Sequence, residues 1–167
     1  MKGFGCDEAG LVAVIGHRTP LQMQQIAQAF KAGFGRDLVE DLISETRGNF
    51  GKLAVSLARP LDTFDAMCVN DAVAGWGTDE EQLIEVLSGR SNAELFAIKA
   101  AYGREYRRDL ERDVANDLGG DLKRFFIGLV QGQRDETGQI LNVDADVQML
   151  YKAGAGKWGT DGSDYFT

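Results

Sequence analysis

GFGCDE at residues 3–8 and GWGTDE at residues 75–80 decide the fold, because they are two copies of one glycine, aromatic, glycine, small residue, aspartate, glutamate pattern. The step from Gly3 to Gly75, called the repeat offset below, also aligns many other positions. Agreement at so many positions predicts a repeated structural unit. The aligned pairs include Ile15 with Leu87, Arg18 with Arg90, Thr19 with Ser91, Ile26 with Ile98, Phe30 with Tyr102, Asp37 with Asp109, Asp41 with Asp113 and Gly48 with Gly120.

A third copy of the pattern begins late in the sequence, where KWGTD occupies residues 157–161. The step from Gly77 to Gly159 is longer than the repeat offset by ten residues, which fit an insertion in the stretch QGQRDETGQILNVDAD at residues 131–146. Within that stretch, residues 132–142 are polar and contain glycine, which is typical of a linker. The sequence stops inside the third unit, so we expect it to be a fragment of a longer protein.

Helix-start signals recur within the units. Thr78-x-x-Glu81 and Ser91-x-x-Glu94 match the capping box, and Thr19-Pro20-x-Gln22 places proline at a first helical position. Apolar residues then recur at helical spacing, which indicates amphipathic helices. We therefore predict an all-α fold, with helices near residues 7–18, 20–33, 37–46, 50–58, 62–73, 79–89, 92–106, 109–117, 121–130 and 144–153.

Composition and charge narrow the function classes. The 167 residues are 44% hydrophobic, enough for a globular core, and the net charge is −8, the wrong sign for holding a phosphate backbone by direct contact. Nucleic acid is therefore not an expected partner, although divalent cations can join an acidic protein to an anionic surface. Cys6 and Cys68 have no zinc or disulfide spacing and suit a reducing cytosol. The apolar run at residues 11–15 is too short for a membrane span or a signal sequence.

An acidic residue follows each glycine pattern at a fixed distance. The separation from Gly5 to Glu45 equals that from Gly77 to Asp117, and each acid ends a short predicted helix. Calcium prefers hard oxygen ligands, and glycine permits backbone angles that turn successive carbonyl groups towards one point. We predict two calcium sites, each weak alone, with dissociation constants of roughly 10⁻⁴ to 10⁻³ M. The ligands would be the carbonyls of Met1, Gly3 and Gly5 with the Glu45 carboxylate, and those of Val73, Gly75 and Gly77 with the Asp117 carboxylate.

Two simpler interpretations compete with these sites. The glycines could be ordinary helix C-caps and the acids solvated helix ends, but two copies with an acid at the same separation favour the metal sites. An EF-hand loop starting at Asp135 is excluded, because its sixth residue is Ile140 and its twelfth is Asp146, where that loop needs glycine and glutamate.

Aromatic residues lie on or beside the tips of the glycine loops: Phe4, Trp76 and Trp158. If the loops face a bilayer, these rings can enter its interface, where amphipathic rings are favoured. The alternative is a ring folded over its own loop, and tryptophan emission in the presence of calcium and acidic vesicles distinguishes the two.

The segments MKGFGCDE, AGWGTDEE and AGAGKWGTD resemble the calcium-loop signature of the annexin family, and FGRDLVEDLISETRGNF is similar to part of an annexin repeat. The resemblance covers essentially the whole chain. It implies repeats of five short helices in a right-handed superhelix, and a curved disc in the intact protein. The implied domains are a first repeat lacking its first helix (1–60), a second repeat (61–131), a linker (132–143) and the start of a third repeat (144–167).

The resemblance also implies calcium sites beyond the two predicted ones. It implies a partial third site from the carbonyls of Gly154, Lys157 and Gly159. Minor sites would combine Glu8 with the Cys6 carbonyl and Glu80 with the Thr78 carbonyl. Cys6 replaces the threonine of the family, which we expect to weaken an N-cap while leaving the carbonyl ligands unchanged.

The predicted function is calcium-dependent binding to acidic phospholipid membranes by a cytoplasmic protein that associates with them reversibly. The alternative is a calcium-independent scaffold for cytoskeletal or other proteins, with vestigial calcium loops. No enzyme activity is expected, because His17 is the single histidine and the sequence has no nucleotide-binding loop or paired-carboxylate cleft.

Overall fold

The computed structural model describes residues 6–75, 77–138 and 142–154, and within these ranges the chain forms α-helices and no strands. The all-α prediction is confirmed, and each predicted helix is present with both ends within three residues of the prediction. The helices are α1 Glu8–Ile15, α2 Pro20–Phe34, α3 Leu38–Glu45, α4 Gly48–Ala58, α5 Leu61–Val73, α6 Glu80–Leu87, α7 Asn92–Tyr106, α8 Leu110–Asp117, α9 Gly120–Val130 and α10 Val143–Ala153.

The repeat inferred from the sequence is present in the helix boundaries. Every start and end of α1 to α4 recurs one repeat offset later as a start or end of α6 to α9. The same offset therefore governs the glycine pattern, the helix lengths and the loops, as expected for two copies of one structural unit.

The predicted helix starts at Thr19 and Ser91 are confirmed, and both form capping boxes. The Thr19 hydroxyl accepts from the Gln22 amide at 3.3 Å, and the Gln22 side-chain oxygen accepts from the Thr19 amide at 3.0 Å. Ser91 and Glu94 form the same reciprocal pair at the start of α7, at 3.4 and 2.8 Å. Each box satisfies two backbone N–H groups that a helix start would otherwise leave unpaired.

The other predicted capping box, Thr78-x-x-Glu81, is wrong. The N-cap of α6 is Asp79, whose carboxylate accepts from the Gln82 amide at 3.0 Å. Likewise α1 is capped by Asp7 and not by Cys6, so the expected weakening of an N-cap by Cys6 is also wrong. An ionised carboxylate one residue later in the sequence is a strong N-cap and interacts favourably with the positive end of the helix dipole.

The chain divides into two compact units, residues 1–64 and 65–167, with the boundary inside α5. In the first unit, α4 packs against α1, α2 and α3, and in the second, α8 packs against α7 and α9. The first core comprises Ile15, Met23, Leu38, Leu42, Ala54 and Ala58. The second core is larger and comprises Ala66, Val69, Ala72, Val73, Leu83, Leu87, Leu95, Ile98, Ala101, Tyr102, Leu110, Val114, Leu118, Phe126 and Val130.

The stretch after α9, predicted as a linker, is hydrogen-bonded to the start of α7 over the part that the structure describes. The Asn92 backbone amide donates to the Glu136 carboxylate and its side-chain amide donates to the Arg134 carbonyl, both at 2.6 Å. The Arg134 amide donates back to Asn92 Oδ1 at 3.1 Å. These bonds hold residues 134–136 against the start of α7.

None of the helices within residues 6–75, 77–138 and 142–154 is long and apolar enough to cross a lipid bilayer.

Candidate metal centre

The α5–α6 loop, residues 74–79, contains the second copy of the glycine pattern. Gly75 and Gly77 have φ angles of 136° and 89°, which L-amino acids with a side chain rarely adopt. A Cβ atom added to either glycine would meet nothing within 4 Å. The glycines are therefore required by the backbone conformation and not by lack of space.

The loop folds back onto the end of α5. The Asp79 amide donates to the Ala72 carbonyl at 2.9 Å, which closes the loop. Val73 is the last residue of α5, and the last four carbonyls of an α-helix have no intrahelical partner. The candidate ligand Val73 thus places a carbonyl without an intrahelical donor at the base of a glycine loop.

Asp117 is the last residue of α8 and lies beside this loop. The Thr78 hydroxyl donates to Asp117 Oδ2 at 2.5 Å and is 3.1 Å from the Asp117 backbone oxygen. Two residues that are 39 positions apart in the sequence are therefore in direct contact. The structure brings together the glycine loop and the acid that the sequence paired by spacing.

An open depression of about 500 Å³ lies at the loop. Its lining includes Gly77 from the predicted main site and both residues of the predicted minor site, Thr78 and Glu80. Asp71 and Glu81 also line it, although neither was a predicted ligand. The repeat offset could not indicate Asp71, because the equivalent position would precede the first residue of the sequence.

The donor set fits a hard cation. In the three ranges that the structure describes, no group of three or more His, Cys, Asp or Glu side chains is arranged to hold a metal ion. The candidate ligands at this loop are backbone carbonyls with one or two carboxylates. All of these ligands are oxygen atoms, which suit calcium and not the nitrogen and sulfur preference of zinc.

The candidate acidic ligand of the first unit lies at the same place in the fold as that of the second unit. Glu45 is the half-buried last residue of α3, as Asp117 is the last residue of α8. The Cys6 carbonyl, a predicted minor ligand, accepts from the Glu8 amide at 3.1 Å, and the Glu8 side chain is exposed. The other predicted residues of this site, Met1, Gly3, Phe4 and Gly5, lie outside the described residues.

Of the predicted ligands of the partial third site, the structure describes one, Gly154. Gly154 follows α10, and its amide donates to the Leu150 carbonyl at 3.0 Å. Lys157, Trp158 and Gly159 lie outside the described residues, as does Trp76 in the second loop. The second site is thus the one that the structure describes most fully.

Comparison with known proteins places the chain in a family. The family described as Annexin matches residues 1–57 and 64–129. The chain belongs to the annexin family. Annexin A5 of Gallus gallus is 43% identical to it over 169 residues, an alignment that covers 100% of this chain and 53% of that protein. The chain therefore spans about half the length of this annexin.

Solved annexin structures share the fold. Annexin III superposes with a TM-score of 0.91 at 34% identity, over 99% of this chain and 52% of annexin III. Calcium-bound annexin (Sm)1 superposes with a TM-score of 0.80 at 29% identity, over 90% of this chain and 50% of that protein. The helical repeat derived from the repeat offset is accordingly the annexin repeat.

Proposed function

We propose that this annexin chain binds calcium through its glycine loops and that the bound calcium joins it to acidic phospholipid. The contact between Thr78 and Asp117 carries the proposal, because it brings a helix-end carboxylate against a loop whose glycines have positive φ angles. A related protein, annexin (Sm)1, has been solved in a calcium-bound form. Family membership thus supports membrane binding over the calcium-independent scaffold.

The proposed ligands of the second site are backbone oxygens and one side chain. The Val73, Gly75 and Gly77 carbonyls and the Asp117 carboxylate would hold the ion, and Glu80 with the Thr78 carbonyl would form a minor site beside it. When bound, calcium supplies positive charge and open coordination positions for lipid phosphate oxygens. The corresponding sets in the other repeats are Met1, Gly3, Gly5 and Glu45 with the minor pair Cys6 and Glu8, and the partial set Gly154, Lys157 and Gly159.

The charge of the chain explains why the metal is needed. At a net charge of −8 the protein is repelled by an acidic bilayer, and a divalent cation between the two surfaces reverses that repulsion. Several weak sites acting together give attachment stronger than any one site provides. The proposal is therefore reversible binding at the cytoplasmic face of membranes when calcium rises, with no catalytic step, and with Phe4, Trp76 and Trp158 entering the lipid interface.

Vesicle pelleting tests the proposal. The double substitution Glu45→Gln with Asp117→Asn removes one carboxylate from each of two sites, so the calcium concentration for half-maximal pelleting with phosphatidylserine vesicles is expected to rise on the order of tenfold. Tryptophan emission recorded in the same titration should shift to shorter wavelength as Trp76 and Trp158 leave water. A chelator should release the protein.

The control substitution is Glu40→Gln with Glu85→Gln, which removes the same charge from two exposed helical acids outside the proposed sites. It should leave the calcium requirement unchanged. Equal behaviour of the two double variants would overturn the assignment of Glu45 and Asp117 as ligands. Pelleting in chelator would overturn calcium dependence, and unchanged tryptophan emission would overturn insertion of those two rings.

A further inference from the structure

Thr78 is the residue whose hydroxyl joins the glycine loop to the end of α8. Its 2.5 Å bond to Asp117 Oδ2 and the 3.1 Å approach to the Asp117 backbone oxygen fix both the side chain and the helix end. Asp117 is exposed, and an exposed carboxylate without such a bond samples several rotamers. The hydroxyl selects one of them, in contact with the glycine loop at Thr78.

We propose that Thr78 is a positioning residue of the second calcium site, holding the Asp117 carboxylate beside the glycine loop before the ion arrives. This inference rests on the proposed calcium binding and adds a residue that acts through its hydroxyl. An ion that meets an already oriented carboxylate does not have to restrict its rotamers on binding, so affinity rises. Hydrogen bonds that orient metal ligands act in this way at other metal sites.

The bond to Thr78 is compatible with metal binding. The two oxygens of an ionised carboxylate offer about four lone-pair positions, and the Thr78 hydroxyl occupies one. The remaining positions can still serve a cation. The hydroxyl is also not needed for the helix start, because Asp79 supplies the N-cap of α6 through its 3.0 Å bond to the Gln82 amide.

The first unit offers a natural comparison. Cys6 is the counterpart of Thr78 under the repeat offset, and Glu45 is the counterpart of Asp117. A thiol is a weak hydrogen-bond donor, and glutamate has one more rotatable bond than aspartate. Cys6 therefore offers Glu45 a weaker donor than Thr78 offers Asp117, and the first site should bind calcium more weakly than the second.

The role of Thr78 is tested by titrating the full chain with calcium in the absence of lipid and measuring the heat of binding by calorimetry. Thr78→Val keeps the side-chain shape and removes the hydroxyl, so the calcium dissociation constant of the second site should rise roughly three- to tenfold. Thr78→Ser restores a hydroxyl and should bind within about twofold of the parent chain. Cys6→Thr supplies a stronger donor and should tighten the first site by a similar factor.

A second measurement separates positioning from a structural role. Hydrogen exchange in chelator should show faster exchange of the amides of residues 77–79 in Thr78→Val than in Thr78→Ser, with the thermal midpoints of the two variants nearly equal. If Thr78→Val instead lowers the thermal midpoint and keeps the parent calcium affinity, Thr78 is a structural residue and the inference is overturned.

Asp117→Asn distinguishes this inference from the proposed function. If Asp117→Asn loses calcium affinity while Thr78→Val keeps it, the site stands and positioning by Thr78 is overturned. If Asp117→Asn binds calcium as the parent chain does, the proposed ligand set fails and the role of Thr78 fails with it. Loss of affinity in both variants, with recovery in Thr78→Ser, is the expected result.

Discussion

An arginine–aspartate pair occurs at the same place in both units. Arg36 bonds Asp41 at 2.7 Å in the first, and one repeat offset later Arg108 bonds Asp113 at 2.8 Å in the second. Contacts between residues close in the sequence are thus reproduced by the repeat. The helix caps Asp37 and Asp109, and the capping boxes at the starts of α2 and α7, follow the same rule.

Contacts between distant segments distinguish the two units. Phe126 fills the second core where the first unit has Ala54, and both side chains are buried. Tyr102 replaces Phe30 and adds a hydroxyl that donates to Asp113 at 2.8 Å, and burial raises the pKa of this tyrosine. At these two positions the second unit therefore has a larger buried side chain and one additional polar link.

The largest expected effect on stability follows from the buried Phe126 side chain, which the first unit lacks at the equivalent position. Phe126 is 1% exposed, so Phe126→Ala leaves a cavity and should lower the free energy of unfolding by about 4 kcal/mol, as measured by urea denaturation. Leu53→Ala, at a residue that is 60% exposed in the first unit, should change it by less than about 1 kcal/mol. Similar losses in the two variants would show that Phe126 contributes no more to stability than an exposed side chain.

A buried ion pair gives the next largest effect. Arg90 bonds Asp65 at 2.7 and 3.0 Å, and the Asp65 side chain is 3% exposed. Arg90→Met leaves the Asp65 charge buried without its partner, so the free energy of unfolding should fall by about 3 kcal/mol.

The equivalent arginine of the first unit, Arg18, is the matched control. Arg18 is exposed and donates to the carbonyl of its neighbour His17 at 3.2 Å. Arg18→Met should therefore change stability by less than about 0.5 kcal/mol in the same denaturation experiment. A cost as large as that of Arg90→Met would mean that the two arginines are equivalent in energy as well as in position.

The smallest effect concerns the ends of α2 and α7. Gly35 has a φ of 66°, and at the equivalent position Arg107 has a φ of 56°, a left-handed conformation that costs a residue with a side chain roughly 1 kcal/mol. Arg107→Gly should stabilise the protein by about 0.5 kcal/mol, since the greater freedom of unfolded glycine offsets part of the gain. Gly35→Ala should destabilise it by about 1 kcal/mol. Thermal melts of the two variants should move in opposite directions.

The helix starts show how far the sequence could be interpreted without a structure. The starts at Thr19 and Ser91 are predicted correctly, because the capping residues of each lie within three residues of one another. The box at Thr78 is predicted wrongly, because a stronger cap, Asp79, lies next to it and a charged acceptor, Asp117, lies 39 residues away. Local patterns cannot reveal an acceptor that only the folded chain brings near.

The sequence by itself determined the repeat, the all-α class, the helix boundaries to within three residues and the pairing of the second glycine loop with Asp117, because these depend on periodicity, capping and a constant offset. Only the tertiary structure decided which contacts the repeated residues make. It placed the end of α8 against the α5–α6 loop, gave Asp117 a hydroxyl donor, and gave Arg90 the buried partner Asp65. Such contacts depend on which segments pack together, and a linear pattern does not contain that information.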